Sequence, residues 1–260
     1  MNADAYNEFT ESLLRTLRAD PEVLGLVALG SMAAVDTLPD RWSDHDFFVI
    51  VPDGAQSRWR VARDWLPDSE RILLHFQETE HGLKVVYDDG HLLEYAVFSL
   101  EELALARINR FRVLLDRADI AATLARLQTE TTQAVGVARQ DDRQLLGQFF
   151  TNLLVGVARF RRGERLSSLQ FVHSHAVDHL LTLLARHVDA PEHALLDNLS
   201  VRRRFDRVYP ALGQELAALS LLEPPEAALG YVALAERELR ARGVAFTWKL
   251  GGVVGALCRE

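Results

Sequence analysis

Cysteine is almost missing: Cys258 is the one thiol in 260 residues, so no internal disulfide can form and a reducing, cytoplasmic setting is expected. Long hydrophobic runs are missing too. The longest mostly apolar stretch, Gly25 to Val35, is interrupted by Gly30 and Ser31 and falls well short of the roughly 20 residues of a membrane span. The opening residues MNADAYNEFTE lack the basic and then apolar segments of a signal peptide. Positive charge is short in the front half, where 12 basic side chains face 22 acidic ones over residues 1–120. That deficit argues against a nucleic-acid partner, which needs clustered cations, and suits a cationic small molecule or metal ions. What the chain does have is core material, with 48% apolar and 25% charged residues, which excludes disorder and collagen-like structure.

The formal net charge of −8 is unevenly spread, because residues 121–260 carry 17 basic and 15 acidic side chains. The asymmetry divides the chain into two units, 1–120 and 121–260. In the first, Phe9, Leu13, Leu14 and Leu17 recur at helical spacing before Pro21. Val23 to Leu29 and Phe47 to Val51 have the composition of strands buried on both faces. Further strands are expected over 71–77, 83–87 and 92–98, the last two joined by an Asp88-Asp89-Gly90 turn. Ser99 and Glu102 form a capping-box pattern, and Phe111 to Leu115 reads as one more edge strand. Beyond residue 120 the period is helical, with helices expected near 121–138, 141–162, 166–187, 191–208, 211–220 and 225–242. The fold class is therefore α+β, a mixed sheet with helices followed by an all-helical unit.

The stretch Leu24 to Val51 carries the chemistry. Gly30 and Ser31 end one strand, and Asp44 and Asp46 start the next. Side chains two apart on a strand share a face, so both carboxylates can converge on Mg²⁺, while His45 points away. A Gly-Ser turn leading into a helix would expose N–H groups and a hydroxyl to nucleotide phosphates. Glu94 is anomalous within the apolar run LLEYAVF, where a buried charge needs a metal, a proton or a hydrogen bond.

Gly30-Ser31, twelve residues, Asp44-x-Asp46 and a later strand carboxylate together resemble the nucleotidyltransferase motif of the DNA polymerase beta superfamily. The branch most resembled is the antibiotic nucleotidyltransferases acting on aminoglycosides and lincosamides, which join a nucleotidyltransferase domain to a helical bundle. Phe149 to His187 and Asp197 to Pro210 are similar to segments of that bundle. The resemblance implies Mg²⁺ on Asp44 and Asp46, a triphosphate at Gly30 and Ser31, and Glu94 either completing the metal site or acting as general base. The reach of a Glu and the need to deprotonate a sugar hydroxyl favour the base. It also implies AMP transfer from ATP to a hydroxyl of a small acceptor such as a cationic antibiotic, with a homodimer as one oligomeric state. Modification of a protein and nucleotide sensing without turnover are the alternatives.

Other residues are open to two readings. Arg202, Arg203 and Arg204 are consecutive and cannot share one helical face, so Arg202 or Arg204 is a candidate for the triphosphate, against an Arg202–Asp206 pair as the structural alternative. Trp42, Tyr209 and Tyr231 are candidates for stacking on a base or lining an acceptor pocket, or else packing residues. His175 and His179 lack the metalloprotease Glu and are expected to pack. Asp178 beside them reads as a solvated face or a contact to an acceptor amine. The apolar tail Val244 to Leu257 reads as part of an interface.

Overall fold

A computed structural model describes residues 3–35, 38–137, 141–197 and 199–259. The chain divides into two compact units, Met1–Ala134 and Val135–Glu260. The division falls later than the change in charge near residue 120 because helix α3 (Ile120–Val137) packs in the first unit. Ile120, Leu124 and Leu127 share a core with Val27, Ile50, Ala96 and Phe98. Residue 138, the expected end of that helix, lies outside the described residues.

The first unit is built on a six-stranded mixed sheet. Its strands are β1 (Gly25–Leu29), β2 (His45–Ile50), β3 (Ile72–Gln77), β4 (Gly82–Tyr87), β5 (Leu92–Phe98) and β6 (Phe111–Asp116). They lie side by side in the order β3, β4, β5, β2, β1, β6. The β2–β5 pair is parallel and the others are antiparallel. A parallel neighbour requires a crossover, here residues 51–91, which contain the short helix α2 (Gln56–Val61) and the strands β3 and β4. Helix α1 (Ala3–Ala19) buries Tyr6, Phe9, Leu13, Leu14 and Leu17 against one face, joining Phe47, Val49, Leu93 and Tyr95 in a second core. β1 is buried along its whole length, as its unbroken apolar sequence requires. The expected capping box is present: Ser99 N–H donates to Glu102 Oε2 at 3.1 Å and Glu102 N–H to Ser99 Oγ at 3.1 Å.

The second unit is helical: α4 (Asp142–Arg161), α5 (Arg165–Leu169), α6 (Val177–His187), α7 (Phe205–Val208), α8 (Pro210–Ser220), α9 (Pro224–Ala235) and α10 (Leu250–Arg259). α5 runs into α6 through a π-helical segment, Gln170–Ala176, and a second one, Glu236–Arg240, follows α9. Of the helix expected over 191–208 only a 3-10 turn, His193–Leu195, and the short α7 form. Asp197 Oδ1 accepts from the N–H groups of Leu199 and Ser200 at 2.8 and 3.2 Å, and Arg204 takes a left-handed conformation at φ +66°. Local side-chain acceptance there competes with the helix ladder. One side of the apolar tail is used within its own unit, where α10 packs on α4 and α9 and Val254 is fully buried, while Val253 is half exposed.

Candidate active site

Everything at the site starts from where β1 stops. Gly30 turns the chain with φ +48°, a conformation costly for a residue with a Cβ. Ala33 N–H then donates to Leu29 O at 3.0 Å and Ala34 N–H to Ser31 O at 3.1 Å. Ala34, at φ +52°, breaks the chain away again, so a single turn stands where a helix was expected after Ser31. Strained backbone of this kind collects at functional sites. The turn is fixed from two sides. Arg112 of β6 donates to Met32 O at 3.2 Å, and Ser31 Oγ reaches Asp44 O at 3.5 Å. A Cβ on Gly30 would stand 3.4 Å from Asp46 Oδ2, so the turn and this carboxylate adjoin.

Asp44 immediately precedes β2 and Asp46 lies within it. The parallel ladder sets Asp46 opposite Glu94 of β5, and the antiparallel ladder beyond sets Glu94 opposite Lys84 of β4. Asp46, Glu94 and Lys84 thus form a row across three adjacent strands, on one face because paired residues point the same way. Glu94 is neither buried alone nor directed freely into solvent. Its Oε1 lies 3.0 Å from Lys84 Nζ, which also meets Glu78 Oε1 at 2.9 Å. These two carboxylates, Glu78 foremost, raise the Lys84 pKa.

Among the described residues no three His, Cys, Asp or Glu side chains converge as a ready-made metal cage. The arrangement fits an ion of another kind. Mg²⁺ commonly takes one or two protein carboxylates and completes its shell with phosphate oxygens and water. Asp44 and Asp46 beside the turn are the residues that would supply such carboxylates, with Glu94, paired with Lys84, as the third candidate.

Behind the acids lies a support that the sequence reading missed. His45 points to the opposite face, is fully buried and stacks on Tyr6 with ring centroids 3.7 Å apart. Its Nε2 sits 3.2 Å from Tyr6 O and 2.9 Å from Thr10 Oγ1. A carbonyl can only accept, so Nε2 carries the proton and Nδ1 accepts from His91 Nε2 at 2.8 Å. Burial, and secondarily the charge of His91, lowers the His45 pKa to about 3. Burial lowers that of His91 to about 4. Tyr6 in turn donates its hydroxyl to Asp44 O at 2.8 Å, and burial raises its pKa to about 12. The available signal was Tyr6 and Thr10, one helical turn apart on the buried face of α1. Lys84 was legible as a charge alternating with Leu83 and Val85.

A cavity of about 670 Å³ opens beside Asp44, with Arg41, Trp42, Asp89, His91 and Leu92 among its walls. The remaining candidates belong to the second unit and are engaged there. Arg202 pairs with Asp178 at 2.5 Å, not with Asp206, and donates to the carbonyls of His173 and Ser174. Arg204 Nη1 donates to Leu195 O at 3.3 Å. Asp178 is therefore half exposed and paired with Arg202 rather than a bare solvated face. Tyr209 and Tyr231 are core residues, 5% and 1% exposed. The ring of His175 packs edge-on against Phe171.

No family model matches the chain, and no curated protein matches it. Among solved structures, an aminoglycoside 6-adenyltransferase from Bacillus subtilis aligns over 97% of this chain and 96% of its own, at 13% identity and a TM-score of 0.38. The CdnC:HORMA-deltaN complex of E. coli MS115-1 aligns over 98% of this chain and 92% of its own, at 13% identity and a TM-score of 0.31.

Proposed function

We infer that the first unit transfers a nucleotide from a nucleoside triphosphate, with ATP the expected donor, to a hydroxyl of a small acceptor. The observation that carries this reading is the pairing of Asp46 with Glu94 in register beside the Gly30 turn. It brings the Asp46 carboxylate, a second carboxylate and the Gly30 turn within one neighbourhood. Asp44 and Asp46 would hold Mg²⁺, which supplies charge neutralisation on the triphosphate. Gly30 and Ser31 offer N–H groups and a hydroxyl to its oxygens. Glu94 is the candidate base. The acceptor oxygen bonds to the α-phosphorus, the bond to the β-phosphate oxygen breaks, pyrophosphate leaves, and the hydroxyl proton passes to the Glu94 carboxylate. Lys84 holds that carboxylate in its row from the far side. The surplus of acidic over basic side chains in residues 1–120 favours a cationic acceptor, and aminoglycosides and lincosamides are the first classes to offer it.

Thermal unfolding of the full chain with each nucleoside triphosphate, with and without Mg²⁺, tests the reading. Saturation at a hundred times the dissociation constant adds about 2.7 kcal/mol. A Mg²⁺-dependent rise that Asp46→Asn abolishes, with the unliganded fold intact, is the expected result. The same rise in Asp46→Asn and wild type would remove Asp46 from the site. Screening of acceptors for a nucleotide-sized mass gain then identifies the second substrate.

A further inference from the structure

The bond between base, ribose and α-phosphate is covalent, so whatever seats the base must adjoin the residues that hold the phosphates. A cavity against α1 and Arg71 touches none of Asp44, Asp46 and Glu94. Another has Asp44 in its wall, the residue whose carbonyl meets Ser31 of the turn. We propose that this second cavity seats the nucleobase, stacked on the ring of Trp42. The inference rests on the nucleotidyl-transfer reading above.

Three aromatic side chains are candidates for stacking on a base, and two of them are spent. Tyr209 gives its hydroxyl to Val188 O at 2.8 Å and Tyr231 meets His173 Nδ1 at 3.0 Å, both inside the core of the second unit. Trp42 is 78% exposed, a large apolar surface left in water next to the acids. Its orientation is set rather than free. The Arg41 guanidinium lies 4.1 Å from the ring centroid, and the Trp42 backbone N–H donates to Asp40 Oδ1 at 2.8 Å, holding the main chain from which the ring projects. With one face under a cation, the other is left for a planar ring, and a stacked base is recognised by its π-face whatever its identity. Leu92 adds an apolar wall. A volume of about 670 Å³ lies within the usual range of small-molecule sites. The position also suits the reaction. Leu92 and Asp44 stand two residues before Glu94 and Asp46, at the start of β5 and just ahead of β2, so the cavity adjoins one end of the carboxylate row.

Calorimetric titration of the full chain compares a nucleoside triphosphate with inorganic tripolyphosphate, both with Mg²⁺, in wild type, Trp42→Leu and Trp42→Phe. The expected result is a loss of about tenfold or more in nucleotide affinity in Trp42→Leu, unchanged tripolyphosphate affinity, and substantial recovery in Trp42→Phe. Equal weakening of both probes overturns the proposal, since Trp42 would then only brace its loop. Unchanged nucleotide affinity in Trp42→Leu, or equal wild-type affinity for the two probes, overturns it as well and leaves the transfer reading standing. Binding of neither probe to the wild type removes the transfer reading, and this inference with it.

Discussion

At the scale of single residues, Gly30 shows how little freedom the site has. Ala at this position would take a left-handed backbone, at about 1 kcal/mol, and set a methyl against Asp46 Oδ2. Gly30→Ala is expected to lower stability by about that amount in urea unfolding and to lose the Mg²⁺-dependent nucleotide shift altogether. Its effect on ligand binding should thus exceed its effect on the fold. Glu94→Gln separates the two roles open to that side chain. If Glu94 accepts the proton, nucleotide affinity stays and transfer slows by roughly 10² to 10⁴, measured by single-turnover assay. Loss of nucleotide affinity would place Glu94 among the cation's ligands.

At the scale of elements, the packing of α2 on the sheet turns on one guanidinium. Arg60 donates to Val97 O at 2.7 Å and to Glu102 Oε2 at 2.7 Å, with only 13% of its side chain exposed, and Glu102 also closes the capping box. Glu102→Ala removes both functions and leaves a mostly buried charge short of a partner, at about 2–3 kcal/mol. Glu102→Gln keeps the cap and should cost less, a ranking readable from urea midpoints. The elements themselves were largely legible. α1 announced itself by period and the central strands by composition, whereas the adjacency of Glu94 and Asp46 depends on β5 pairing beside β2, which the ladder supplies. Lys84 was not legible as the partner of Glu94, because that contact depends on β4 being the next strand over, a fact of register that no local pattern encodes. The helix expected over 191–208 is broken for a local reason, the Asp197 side chain taking two N–H groups that a helix would use. The fate of Arg202 was hidden because it sits in a turn and its partner, Asp178, lies far back in the chain on α6.

At the scale of the whole molecule, each unit has its own core, and only the first contains the buried His45–His91 pair. Both rings are kept neutral in the fold, with pKa values lowered to about 3 and about 4, whereas an unfolded chain protonates them near 6.5. The unfolded state therefore binds more protons as the pH falls. The stability contribution is complete above about pH 6.5 and is lost progressively toward pH 4 and then pH 3. Hydrogen exchange over this interval should show β1, β2 and β5 losing protection before α4 and α6 do, and His45→Phe should flatten the dependence. No helix among the described residues is long and apolar enough to cross a membrane. The parallel ladder between β2 and β5 has one more effect, on the fidelity of folding. A slip of one residue in β5 would turn Glu94 toward the face where Leu93 and Tyr95 are buried at 0% and 3% exposure, stranding a carboxylate among aromatic rings. A chain that mispairs these strands is penalised by the same side chain that the proposed transfer would use, so misregistered molecules are selected against before they can persist as folded protein.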